Sequence, residues 1–179
     1  MQLPFRSLVL VAGTLLASGT ASTASASGHI TFFGELTAAT CFVHGVDKPD
    51  VSGNFSVNLP TLSAPQLEHV GVAAGHTRFG LQLRDCTGTN PVQAFFEAGP
   101  FMDTVNNTIR PTNDGPIHFA LFDEEGRAIR IGDLTSQSAA RQYQPNERMF
   151  FDVAYVRVAP GPITPGAFTG LVTYSLMYR

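Results

Sequence analysis

The side chains that could do chemistry in this 179-residue chain are few: five histidines, two cysteines and a short acidic run. Zinc and copper sites usually begin from two histidines at H-x-H or H-x3-H spacing. No two histidines here have that spacing, so the sequence predicts neither a metal site nor a cofactor. The histidines are His29, His44, His69, His76 and His118.

The acidic run is "DEEGR", residues 123–127, and its composition is that of a hairpin turn with Gly126 at the bend. A calcium loop needs alternating oxygen ligands and a closing glutamate, which this run lacks. No serine stands in G-x-S-x-G, and no glycine-rich loop precedes a helical pattern. We therefore expect no catalytic residues, and a structural or binding protein rather than an enzyme.

The N-terminus has the layout of a secretory signal peptide: Arg6, an apolar run over 8–17, then small residues. That run is too short to span a bilayer, so we predict export without membrane insertion. In an oxidising compartment Cys41 and Cys86 are expected to form a disulfide. A reactive thiol is the alternative, but neither cysteine has a CxxC neighbour or an adjacent basic cluster to lower its pKa.

Charge argues against a nucleic-acid partner. Without Arg6 the chain keeps ten basic and fourteen acidic residues, a net of −4, and the basic residues are dispersed. Proteins that bind nucleic acid usually carry clustered lysines and arginines.

The elements that would position any site are short strands separated by Gly/Pro/Asn/Asp-rich turns. Helical periodicity is weak throughout, and residues 61–75 allow one turn of helix at most because Pro65 interrupts them. This spacing predicts an all-β, immunoglobulin-like sandwich. The predicted strands are 29–36, 39–44, 54–59, 77–86, 92–98, 117–123, 127–131, 148–158 and a terminal strand in 166–179.

The terminal strand has one apolar face made of every second residue. The ends of a domain usually fray unless another segment holds them, so this strand requires a pairing partner. Its alternate positions are Phe168, Gly170, Val172, Tyr174, Leu176 and Tyr178.

Several of these segments, in this order, resemble one family. "GHITFFGELTAATCFV" is similar to the start of mature chaperone–usher fimbrial subunits of the type 1 pilus family, and "FGLQLRDC" to their second cysteine strand. "HFALFDEEGRAI" and "FFDVAYVRV" resemble a hairpin and a strand of the same family. Its members carry a glycine fourteenth from the end and a tyrosine next to last, here Gly166 and Tyr178.

The resemblance implies an incomplete immunoglobulin-like sandwich that lacks its last strand and is completed by a donor strand in trans. It also implies three partners: neighbouring copies in a homopolymer, a periplasmic chaperone and an outer-membrane usher. The strand that borders the groove and meets the chaperone is then the terminal one, with Gly166, Phe168, Gly170, Val172, Tyr174, Leu176 and Tyr178.

The donor strand is expected before Cys41, where alternate residues face one way. Its positions are Ala26, Gly28, Ile30, Phe32 and Gly34. Alternatively, residues 29–36 are simply the first strand of their own domain. With cleavage after Ala21, the segments are a signal peptide (1–21), a donor extension (22–35) and a pilin domain (36–179); cleavage after Ala24 or Ala26 is the fallback.

We thus expect a structural subunit of a fimbrial rod, exported through the periplasm to the cell surface for adhesion or biofilm formation. A minor or adaptor subunit of the same system is the nearest alternative. A soluble carbohydrate-binding sandwich is a more distant one, disfavoured because the chain has no Trp. A secreted hydrolase is disfavoured because no acid, base or nucleophile arrangement is present.

Overall fold

The computed structural model describes residues 40–46, 53–113 and 115–179. The predicted signal peptide, donor extension and first strand (29–36) lie outside these residues. The described part is built from eight strands and two very short helices, so the prediction of an all-β fold is confirmed.

The larger sheet has six antiparallel strands in the order β1-β2-β7-β6-β5-β4. Its centre is the long pairing of β2 with β7, in which Phe79 lies opposite Phe151. The strands are β1 Thr40–Gly45, β2 Ala73–Thr87, β4 Met102–Asp103, β5 Thr108–Ile109, β6 Ile117–Phe122 and β7 Arg148–Arg157.

The smaller sheet contains only β3 (Val92–Glu97) and the terminal strand β8 (Thr173–Tyr178), paired antiparallel. A two-stranded sheet is marginal by itself in water and needs a packed face. That face is provided by the larger sheet: the ring of Phe96 meets Phe151 edge-on at 5.0 Å and Phe79 at 6.5 Å. The core therefore lies between the two sheets.

The expected disulfide is present. Cys41 of β1 is bonded to Cys86 of β2, across a sequence separation of 45 residues. It joins neighbouring strands at one border of the larger sheet. The turn at "DEEGR" also has the expected geometry, with Gly126 at φ 78 and its N–H donating to the Asp123 carbonyl at 3.0 Å.

Three predicted strands differ in the structure. Residues 54–59 are extended but belong to no strand, and 127–131 retain only a bridge between Ala128 and Phe122. The hydrogen-bonded part of the terminal strand begins at Thr173 rather than near 166, because its partner β3 ends at Glu97, opposite Thr173.

Four elements are too short to show a periodic pattern in the sequence. Strands β4 and β5 have two residues each, and helix α1 spans Leu134–Ser138. A 3-10 turn at Ala64–Leu67 agrees with the single turn of helix allowed for 61–75. In the part of the chain that the structure describes, no helix is long and apolar enough to span a membrane.

Candidate functional site

Strands β3 and β8 differ in burial although they lie side by side. Tyr174, Leu176 and Tyr178 lie opposite Phe96, Ala94 and Val92 respectively. Directly opposed residues of an antiparallel pair share a face, so both sets point towards the core. The β3 residues are 2%, 7% and 0% exposed, whereas the three β8 residues are only half-buried. The core-facing side of β8 is therefore incompletely covered.

The backbone of β8 is also open on that side. The Arg179 N–H donates to the Pro91 carbonyl at 3.0 Å. Because hydrogen-bonded and non-bonded pairs alternate along an antiparallel ladder, residues 174, 176 and 178 direct their N–H and C=O groups away from β3. No backbone group among the described residues pairs with them. Within the described residues, β8 is thus an open sheet edge.

The segment 54–60 is the other extended stretch without a ladder. Phe55, Val57 and Leu59 are half-buried against the core, while the residues between them are exposed. Within the described ranges, no backbone hydrogen bond joins residues 55–60 to another segment. The alternation that predicted a strand here is real, but residues 55–60 join no strand in the part of the chain that the structure describes.

Two tyrosine hydroxyls connect β8 to the start of that segment and to β1. The Tyr174 hydroxyl donates to the Gly53 carbonyl at 2.7 Å, and the Tyr178 hydroxyl accepts from the Cys41 N–H at 2.9 Å. Gly53 has φ 73, and a Cβ there would lie 2.9 Å from the Tyr174 hydroxyl, so this position requires glycine. These contacts place β1 and the start of the segment 53–60, at Gly53, beside β8.

We call this region the edge cleft. It is bounded by Tyr174, Leu176 and Tyr178 of β8 and by the segment 53–60. Its lining is mainly apolar, and burial raises the pKa of Tyr174 above the usual value for tyrosine. The tyrosine hydroxyl therefore remains a neutral hydrogen-bond donor.

The predicted terminal face continues N-terminal to β8, although without a ladder. The ring of Phe168 packs on Tyr155 with centroids 6.1 Å apart. Gly170 lies against the core so closely that a Cβ would be 2.7 Å from the Phe119 ring. Val172 is half-buried, whereas Gly166 is exposed and a Cβ there would meet no atom within 4 Å. Gly166 is the one predicted position that does not face the core.

The sequence did not identify Gly53, Phe55, Val57 and Leu59 as part of the site. The signal was present, because residues 54–59 alternate between polar and apolar. The predicted donor residues Ala26, Gly28, Ile30, Phe32 and Gly34 lie outside the described residues, so their role stays a prediction.

A polar cluster elsewhere in the larger sheet brings together a histidine, a threonine and an aspartate. Buried His118 lies 2.8 Å from the Thr108 hydroxyl and 3.5 Å from a carboxylate oxygen of Asp103. Both of these partners meet the same ring nitrogen, Nδ1. Among the described residues, no group of three or more metal-ligating side chains converges.

Comparison with known proteins agrees with this geometry. The family model described as "Fimbrial protein" matches residues 30–179. The chain is 29% identical to the F17 fimbrial protein of Escherichia coli, covering 94% of this chain and 97% of the relative. It is 30% identical to the major fimbrial subunit SMF-1 of Stenotrophomonas maltophilia, covering 92% and 100%.

A solved structure shows the same fold. It is a chaperone–usher pilus studied for the molecular basis of rod uncoiling. Its subunit superposes with a TM-score of 0.56 at 15% identity, covering 89% of this chain and all of that one.

Proposed function

Since this chain belongs to the fimbrial protein family, we propose that it is the rod subunit of a chaperone–usher fimbria and polymerises by accepting a β-strand from another copy. Its relatives are structural fimbrial subunits, not enzymes. The observation that carries the proposal is the burial difference within one small sheet: Val92, Ala94 and Phe96 are covered, but their neighbours on β8 are not.

A strand laid in the edge cleft supplies what β8 lacks. Its backbone pairs with the N–H and C=O groups of residues 174, 176 and 178, and its alternate side chains cover Tyr174, Leu176 and Tyr178. This is strand addition to an open edge, in which main-chain bonds give affinity and side-chain pockets give specificity.

The donor we propose is the extension 22–35 of the next copy. Fourteen extended residues reach about 46 Å at 3.3 Å each, enough to run along β8 and the segment 53–60. Ala26, Gly28, Ile30, Phe32 and Gly34 occupy alternate positions and so face the same way. Burial of Ile30 and of Phe32 contributes about 1.5–3 kcal/mol each.

An open edge with half-buried apolar side chains is an aggregation hazard before assembly. A periplasmic chaperone that lends a strand to β8 covers it, and exchange for the donor extension at an outer-membrane usher then drives polymerisation. The product is a surface fimbrium that serves adhesion or biofilm formation.

A rod rather than a minor or adaptor position is supported by SMF-1, a relative whose name describes it as a major subunit. In a rod this chain makes up most of the fibre mass, so quantitative mass spectrometry of sheared fimbriae separates the two. If the chain is present at only one or a few copies per fibre, it is an adaptor.

The test of strand donation replaces both Ile30 and Phe32 with Asp in the full chain, expressed with its secretion partners. The matched control replaces His29 and Thr31 with Asp, which adds equal charge on the opposite face of the same strand. Fibres should be lost in the first variant only, while its chaperone-bound monomer persists. Normal fibres from the Ile30/Phe32 variant would refute the proposal.

A further inference from the structure

The small sheet has a second edge, on the far side of β3, and that edge is already closed. Val92 and Tyr143 exchange two backbone hydrogen bonds, both 2.8 Å long. Four residues along, Phe96 directs its backbone groups to the same side. There the main partner is a side chain: the Gln137 amide accepts from the Phe96 N–H at 2.8 Å and donates to the Phe96 carbonyl at 3.0 Å. The same carbonyl also accepts from the Gly132 N–H at 2.8 Å.

Gln137 thus reproduces with one side chain the paired bonds that a neighbouring strand would make. It is 4% exposed, and its amide nitrogen also donates to the Arg130 carbonyl at 2.9 Å. Its backbone is held as well, because the Gln93 side chain donates to the Gln137 carbonyl. The short helix α1 carries Gln137 and is capped at its N-terminus by Asp133, whose carboxylate accepts from the Ser136 N–H at 3.0 Å.

We propose that Gln137 is a specificity-determining residue that blocks strand addition at β3, so that each subunit accepts a donor only at β8. This inference rests on the proposed function. A donor strand at the β3 edge would need the backbone groups of Val92, Ala94 and Phe96 in succession. Tyr143 and Gln137 occupy the first and the last, which leaves Ala94 alone between them.

The closed β3 edge limits how many donor strands a subunit can accept from other copies of this chain. With both edges of the small sheet open, one subunit could accept two donor strands and a fibre could branch. With β3 closed, growth remains linear. A polar side chain suits this role because an apolar residue at 137 would leave the Phe96 N–H buried without its partner, while the Phe96 carbonyl would keep only the Gly132 N–H at 2.8 Å.

The test is Gln137→Met in the full chain, assembled with its secretion partners. Methionine keeps the length and approximate volume but removes all three amide hydrogen bonds. Thr135→Ala, an exposed position of the same helix, is the matched control. Fimbriae are imaged by negative-stain electron microscopy, and amide exchange of the 92–97 peptide is measured by mass spectrometry in isolated fibres.

We expect branched or laterally bundled fibres from Gln137→Met and straight single fibres from Thr135→Ala. Exchange in the 92–97 peptide should rise on the order of tenfold in subunits whose β3 edge is free. Straight fibres with unchanged exchange in Gln137→Met would overturn the inference.

Should Gln137→Met fail to accumulate, Asp133→Ala provides the second variant. It weakens the start of α1 but leaves the Gln137 amide in place. A partial increase in bundling and exchange is expected, and wild-type behaviour counts against the inference. Failure of strand donation itself is recognised separately, because the Ile30/Phe32 double variant then still forms fibres.

Discussion

Tyr174→Phe tests whether the hydroxyl bond across the edge cleft holds the segment 53–60 in place. The change removes one oxygen atom and keeps the ring that lies opposite Phe96. The bond lost is the 2.7 Å contact to the Gly53 carbonyl, which is partly buried. Phenylalanine leaves that carbonyl without its donor but creates no cavity.

The expected cost follows from the neutral hydrogen bond that disappears. Such bonds contribute about 0.5–1.5 kcal/mol net, and the middle of that range applies to a partly buried carbonyl that solvent can still reach. We therefore expect a loss of about 1 kcal/mol in the free energy of unfolding. For a domain of this size that lowers the melting temperature by about 2–4 °C.

The measurement is guanidinium unfolding of oxidised residues 36–179 with a saturating synthetic 22–35 peptide, which covers β8 and prevents aggregation, followed by circular dichroism and tyrosine fluorescence. The chain has no Trp and four Tyr, so the emission of the remaining tyrosines is not masked. Tyr155→Phe is the matched control: its ring packs on Phe119 and Phe168, and the structure gives its hydroxyl no hydrogen-bond partner among the described residues. Its free energy of unfolding should change by less than about 0.5 kcal/mol.

Equal losses in Tyr174→Phe and Tyr155→Phe would refute this reasoning, because the effect would then belong to any tyrosine hydroxyl in the sandwich. A Tyr174→Phe variant as stable as the wild type would show that residues 53–60 are held by apolar packing alone.

Two further predictions concern the same face of the molecule. Gly170→Ala should lower the free energy of unfolding by about 1–3 kcal/mol in the same assay, since the new Cβ would lie 2.7 Å from the Phe119 ring. Gly99→Ala should be close to neutral, because a Cβ at that position would have no atom within 4 Å. The free energy of unfolding should also fall as the pH rises above about 10. Burial raises the pKa of Tyr174 in the folded state, so the unfolded chain loses this proton first. A pH series should therefore show a shallower decline in Tyr174→Phe.

The sequence predicted best those strands whose side chains alternate between core and surface along a paired backbone. β2, β3, β6 and β7 were all placed within a few residues, because burial on one face imposes a period of two. The disulfide between Cys41 and Cys86 was also predictable, since an exported chain with only two cysteines has one pairing available.

Side-chain alternation does not identify the strand that a backbone pairs with. The wrongly predicted strands follow from that. Residues 54–59 alternate in burial as expected, and Phe168 and Val172 are half-buried, yet neither stretch belongs to a strand among the described residues. Their apolar side chains pack on the opposite sheet, which is sufficient to impose the pattern. The burial difference between β3 and β8, which carries the proposed function, is visible only in the structure.

Gln137 was missed for another reason. It lies in "DLTSQS", which has no helical period because α1 is only five residues long. Asp133, the first residue of this segment, was the available signal, since Asp before a helix commonly accepts a hydrogen bond from the third backbone N–H of that helix. That signal predicts a helix start but not that a glutamine will close the edge of a strand.

The two edges of the small sheet explain why the proposed assembly requires one added donor strand per subunit and no more. Strands β3 and β8 make only a two-stranded sheet, which leaves backbone groups of β3 on one side and of β8 on the other. Tyr143 and Gln137 pair with β3 through polar contacts that belong to the same domain. β8 instead presents apolar, half-buried side chains beside its open backbone, so the free energy of burial favours a third strand there. In the proposed assembly, an open β3 edge would remove the single direction of growth, and a closed β8 edge would prevent growth.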